Sequence, residues 1–132
     1  MFLQAIRGAT TVDYDEVDEV KLKTRELLSA IIEKNNLREA QIVYILFTVT
    51  DDVKSVYPAV AAREMGLTNT PLLCCQEMNV IDSLDSCIRV LMLTQRAQET
   101  EVFHIYQEGA VVLRPDIIKM QKGSCLSSDE TD

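Results

Sequence analysis

Residues Pro71–Leu93 read P-L-L-C-C-Q-E-M-N-V-I-D-S-L-D-S-C-I-R-V-L-M-L. Two apolar runs in this stretch, Leu72–Cys75 and Ile88–Leu93, have the length and composition of buried strands. Each is marked by one charge that a core strand would lack. Glu77 stands at the exit of the first, and Arg89 stands inside the second. Alternation puts Cys87, Arg89 and Leu91 on one face of the strand, and Ile88, Val90 and Met92 on the other. An arginine between apolar neighbours is costly to desolvate unless an anion meets it. Arg89 therefore either faces solvent on a one-sided sheet or meets something negative.

Working outward from there, Phe2–Val12 reads as a first strand. It contains Arg7 followed by Gly8, a glycine that marks a bulge or a close approach by another group. From Asp15 to Lys34, residues Val17, Val20, Thr24, Leu27, Leu28, Ile31 and Ile32 recur at helical spacing. Acidic residues lead this helix and Lys21, Lys23 and Arg25 follow, which suits the helix dipole. Asp13 or Asp15 is the expected cap, and Asn35-Asn36 the expected end. Gln41–Thr50 is β-branched and aromatic, as in a central strand, and Asp51-Asp52 ends it. Ser55–Gly66 reads as a short helix carrying Arg63, with Pro58 in its first turn and Gly66 just beyond it.

Asn79–Ser86 and Thr94–Thr100 are polar and read as loops. Val102–Tyr106 reads as a short strand, and Ala110–Leu113 is a last apolar segment before Arg114. The order β-α-β-α-β-β(-β) implies an α+β fold, a mixed β-sheet packed with helices on one side. Residues 1–117 are expected to form a single domain, followed by a polar, acidic tail over 118–132 that reads as disordered.

Composition removes several functions. The chain has 132 residues and a net charge of −8, which argues against nucleic acid and anionic membrane surfaces as partners. No apolar run approaches the roughly 20 residues of a membrane span, and no secretion signal opens the chain. Cys74, Cys75, Cys87 and Cys125 lack paired zinc-ligand spacing, and His104 is the only histidine. Reduced thiols, a cytoplasmic location and no structural metal are the expectation.

The chemistry lies in the arginines. Of the seven, Arg7, Arg63, Arg89 and Arg114 sit in apolar settings within a strongly acidic chain. Such a set suits a small anionic ligand, because guanidinium forks pair with carboxylates or phosphates. Glu77 adds an acceptor for a ligand hydroxyl. A competing reading pairs Cys74 or Cys75 with His104 as nucleophile and base. Adjacent cysteines on a strand point to opposite faces, however, and free cysteine is commonly a small core residue. With only four glycines, the chain has no Gly-rich phosphate loop.

The motifs I-R-G-A-T-T-V, Y-P-A-x-A-x-R-E, C-x-Q-E-M-x-V, C-I-R-V, H-x-Y and L-R-P-D follow one another from about Ile6 to Asp116. In this order and spacing the chain resembles the monofunctional chorismate mutases of the AroH class. The resemblance implies a pseudo-α/β-barrel trimer with sites between subunits, and an isomerase that converts chorismate to prephenate without a cofactor. It implies that Arg89 donates to the ether oxygen and that Arg7 and Tyr106 bind a carboxylate. Glu77 and Cys74 would meet the ring hydroxyl, with Leu73 also lining the substrate. Tyr57 and Arg63 would close the site, and Arg114 would lie over its mouth. Tyr57 stands where the family pattern leads one to expect Phe, and Val60 where some members carry Lys. The alternative from another class is a noncatalytic trimeric module that binds a small carboxylate.

Overall fold

The computed structural model describes residues 1–113. Five strands form one sheet in the order β3-β2-β4-β1-β5: β1 (Phe2–Thr11), β2 (Ile42–Val49), β3 (Leu72–Gln76), β4 (Cys87–Arg96) and β5 (Ile105–Tyr106). The central strand β4 runs antiparallel to β1 and β2, while β2–β3 and β1–β5 pair in parallel. The helix α1 (Val17–Lys34) carries the chain from β1 past β4 to β2, and α2 (Pro58–Glu64) supplies the crossover between the parallel pair β2–β3. The expected α+β architecture is therefore the observed one.

Period-two alternation decides which face is core. Ile88, Val90, Met92 and Thr94 of β4 are buried, as are Ile6 of β1 and Ile45 and Phe47 of β2. Ile6, Ile45, Phe47, Val90 and Met92 pack with Leu27, Leu28 and Ile31 of α1 and Ala59 and Ala62 of α2, while Ile88 packs with Val12, Val53 and Val20 of α1. Each large apolar side chain removed from water here contributes about 1.5–3 kcal/mol. Gly8 serves close approach rather than a bulge. A Cβ added there would stand 2.8 Å from Ile31 Cδ1, so α1 lies on the backbone of β1. A register irregularity lies in β2, between Ile42 and Tyr44.

Several boundaries differ from the expectation. The polar segment after Leu93 is not all loop, since β4 runs to Arg96. Pairing with the start of β1 carries it on, and Thr94 Oγ1 donates to the Gln4 carbonyl at 2.8 Å. Of Val102–Tyr106 only Ile105 and Tyr106 are strand, and Glu108–Val112 forms a 3₁₀ turn. The first helix starts at Val17 and neither aspartate caps it. Asp15 instead accepts from the backbone N–H groups of Lys54 and Ser55, both at 3.0 Å, and so fastens the loop before α2. The short helix runs over Pro58–Glu64, with Gly66 in the left-handed region just beyond it. Asn35 and Asn36 do end α1.

The opposite face of the sheet carries Leu3, Ala5, Arg7, Tyr44, Leu46, Leu73, Arg89, Leu91 and Leu93. Among the described residues no helix covers it. Only the 3₁₀ turn reaches around one end, where Ala110 packs with Ala9 and Cys87.

Candidate active site

Sheet register gathers the charged residues. Arg89 of β4 lies opposite Ala9 of β1 and Thr48 of β2, and Arg7 lies opposite Leu91. Tyr106 of β5 pairs alongside Ala9. All stand on or beside the uncovered face. Arg7, Thr48, Glu77, Arg89 and Tyr106 line one groove of about 490 Å3, with Leu46 and Leu91 as its apolar floor.

Glu77 enters because the chain continues the β2–β3 ladder one step past β3, its N–H donating to the Val49 carbonyl at 2.7 Å. Its carboxylate accepts from Thr48 Oγ1 at 2.5 Å and lies 3.4 Å from Arg89 Nε. Both possibilities raised for Arg89 are thus realised: it meets an anion, and its side chain remains 44% exposed. A pair this exposed is worth no more than about 1 kcal/mol of stability. Its effect is geometric, since Thr48 and Glu77 hold the guanidinium over the groove while leaving it open to a second anion.

Beneath Arg89, burial pushes the Cys87 thiol up, opposed by the guanidinium charge. Burial also pushes up the thiol of Cys74. Both are neutral thiols at ordinary pH, which suits packing and not nucleophilic attack.

The remaining expected site residues do not join this groove within one chain. Cys74 points to the helix side of the sheet and packs against the core. It lines a second cleft, of about 610 Å3, with Tyr57, Lys54, Cys75 and Gln76. Tyr57 is 70% exposed, and Arg63 is exposed on α2. Leu73 lies on the uncovered face beside Leu46, 61% exposed, in an apolar depression with Tyr44 and Pro71. Arg114 falls outside the described residues. The cysteine–histidine reading fails on topology: β3 and β5 are the two edges of the sheet. His104 Nδ1 accepts from the backbone N–H of Arg7 at 2.9 Å. Thr48 was not anticipated; within an apolar run its hydroxyl gives no signal until pairing sets it beside Arg89.

The mixed sheet brings two arginines, a glutamate and a tyrosine into one groove, a set of groups with the chemistry to pair with a small anion. Residues 3–117 match the family described as chorismate mutase type I, and the chain belongs to that family. It is 43% identical over 119 residues to chorismate mutase AroH of Bacillus subtilis (strain 168), covering 89% of this chain and 94% of that protein. It is 41% identical over 122 residues to chorismate mutase AroH of Thermus thermophilus, covering 90% and 99%. Among solved structures, a chorismate mutase from Clostridium thermocellum superposes with a TM-score of 0.80 at 45% identity, covering 83% of this chain and 98% of that one.

Proposed function

We propose that this protein rearranges chorismate to prephenate in the supply of aromatic amino acids, by a Claisen-type step with no covalent intermediate and no cofactor. The observation that carries this reading is the Thr48–Glu77–Arg89 arrangement at the open groove. The reaction breaks an ether C–O bond and leaves negative charge on oxygen. A cation held beforehand at that oxygen stabilises the transition state more than the ground state. Arg89 takes this role. Arg7 and Tyr106 bind a carboxylate, and Glu77 accepts from the ring hydroxyl. Holding the compact diaxial conformer supplies the rest of the acceleration. A noncatalytic carboxylate binder would gain nothing from a glutamate beside its ligand.

In this reading the protein is a cytoplasmic homotrimer, and Tyr57, Arg63 and Cys74 belong to the neighbouring side of a site shared between subunits. Two features support it. Tyr57 and Arg63 are exposed and away from the groove of their own chain. The uncovered sheet face and the loop after Glu77 also expose Leu3, Leu73, Met78, Val80 and Ile81, the last 89% exposed. Large apolar side chains left exposed in this number suit an interaction surface.

The test is loss of chorismate absorbance with purified protein and a metal chelator as the only additive. Turnover to prephenate under those conditions is expected. Saturable chorismate binding without turnover would overturn the assignment.

A further inference from the structure

Arg7 is held by an acceptor that its neighbouring strand does not provide. The parallel ladder between β1 and β5 covers only Gly8–Ile105 and Ala9–Tyr106, and beyond it Gln107 N–H donates to the Ala9 carbonyl at 2.9 Å. Parallel ladder bonds recur at even spacing, so the next backbone acceptor back along the chain is the Phe103 carbonyl. That carbonyl accepts from Asn35 Nδ2 at 2.9 Å, while Phe103 N–H donates to Asn35 Oδ1 at 2.8 Å. Asn35 is buried at the end of α1 and draws the chain before β5 onto the helix. The Arg7 N–H therefore turns to a side chain, and His104 Nδ1 receives it.

We propose that His104 is a positioning residue for Arg7. Its imidazole stands in for a missing strand carbonyl and keeps the first strand at Arg7 in register with Tyr106, so that the two groups flanking one end of the groove stay together. The His104 ring acts through the Arg7 backbone and needs no contact with substrate. An acceptor at Nδ1 requires the tautomer protonated at Nε2, so the imidazole serves in its neutral form. The register effect follows from the hydrogen bonds themselves. Its kinetic consequence rests on the reading of Arg7 as a carboxylate-binding residue.

Two measurements on the full-length protein test this. The first is the through-hydrogen-bond 15N–15N coupling between the Arg7 amide and His104 Nδ1 in the unaltered protein, where folding is not in question. The coupling is expected, and its absence overturns the proposal. The second compares His104→Leu, which deletes the acceptor, with His104→Asn, whose Oδ1 lies near the position of Nδ1. His104→Leu is expected to raise KM for chorismate about tenfold with a smaller change in kcat, the effect of one hydrogen bond left unmade. His104→Asn is expected to recover most of that loss. A parental KM in folded His104→Leu, or an Asn variant as impaired as the Leu variant, overturns the positioning role. Arg7→Ala, run alongside, separates the two layers. A parental KM there refutes the role given to Arg7, whereas the coupling reports on His104 regardless.

Discussion

The groove around Arg89 and the cleft around Tyr57 are built in different ways. In the first, strand pairing sets every group. Thr48 faces Arg89 because β2 pairs with β4, and Glu77 follows because β3 pairs with β2. At the second, Tyr57 stands exposed on a loop, and the seven-residue helix that follows carries an exposed Arg63. A sheet fixes register to one residue, because a slip would turn every side chain to the wrong face. A loop is held by a few individual bonds, such as those from Lys54 and Ser55 to Asp15 across the fold. One chain thus fixes its Arg89 groove by register, and carries Tyr57 and Arg63 exposed and apart from that groove.

The largest expected effect breaks the sheet-built groove. Arg89→Ala is expected to lose at least about 10²–10³ in kcat, the usual cost of removing one donor aimed at developing charge. Its fold, checked by circular dichroism, is expected to survive, because the Arg89–Glu77 pair is too exposed to carry much stability. Arg89→Lys keeps the charge without the planar fork and is expected to restore only part of the rate. A folded Arg89→Ala protein with near-normal kcat would remove Arg89 from the mechanism.

A smaller effect sharpens the description of the loop before α2. Burial works against ionisation of Asp15, yet hydrogen bonds from Lys54 and Ser55 outweigh it and hold the carboxyl below its ordinary value. A depressed carboxylate pKa contributes stability above the unfolded-state value and loses it as pH falls through the folded-state value. Asp15→Asn is therefore expected to melt lower than the parent at neutral pH. The gap closes as the pH drops through and below the ordinary carboxylate value of about 4. Melting curves of the two proteins across that range check this, and a gap independent of pH would assign the loss to packing.

How far the sequence led depends on which force decided each feature. Burial is written in alternation, so the strands, both helices and the gathering side of Arg89 were legible from apolar spacing. Segment ends were not. Thr94–Arg96 is polar yet stays in β4 because its partner in β1 continues, a long-range pairing that no local pattern carries. Asp15 matches a helix cap equally well in sequence and is used across the fold instead. For the site, Arg7, Glu77, Arg89 and Tyr106 were singled out and the sheet brings them together. The acceptor role of His104 was hidden, because it depends on Asn35 drawing Phe103 toward the end of α1.

The claim that two chains complete one site is tested most directly by subunit complementation. Arg63→Ala and Arg89→Ala proteins are each expected to be nearly inactive. When the two are unfolded together and refolded as mixed oligomers, some interfaces pair an intact Arg89 groove with an intact Arg63 helix. Chorismate turnover in the mixture is then expected to rise well above the sum of the two separate residual activities. Activity equal to that sum, in a mixture shown by mass to contain mixed oligomers, would contradict the account and return the whole site to a single chain.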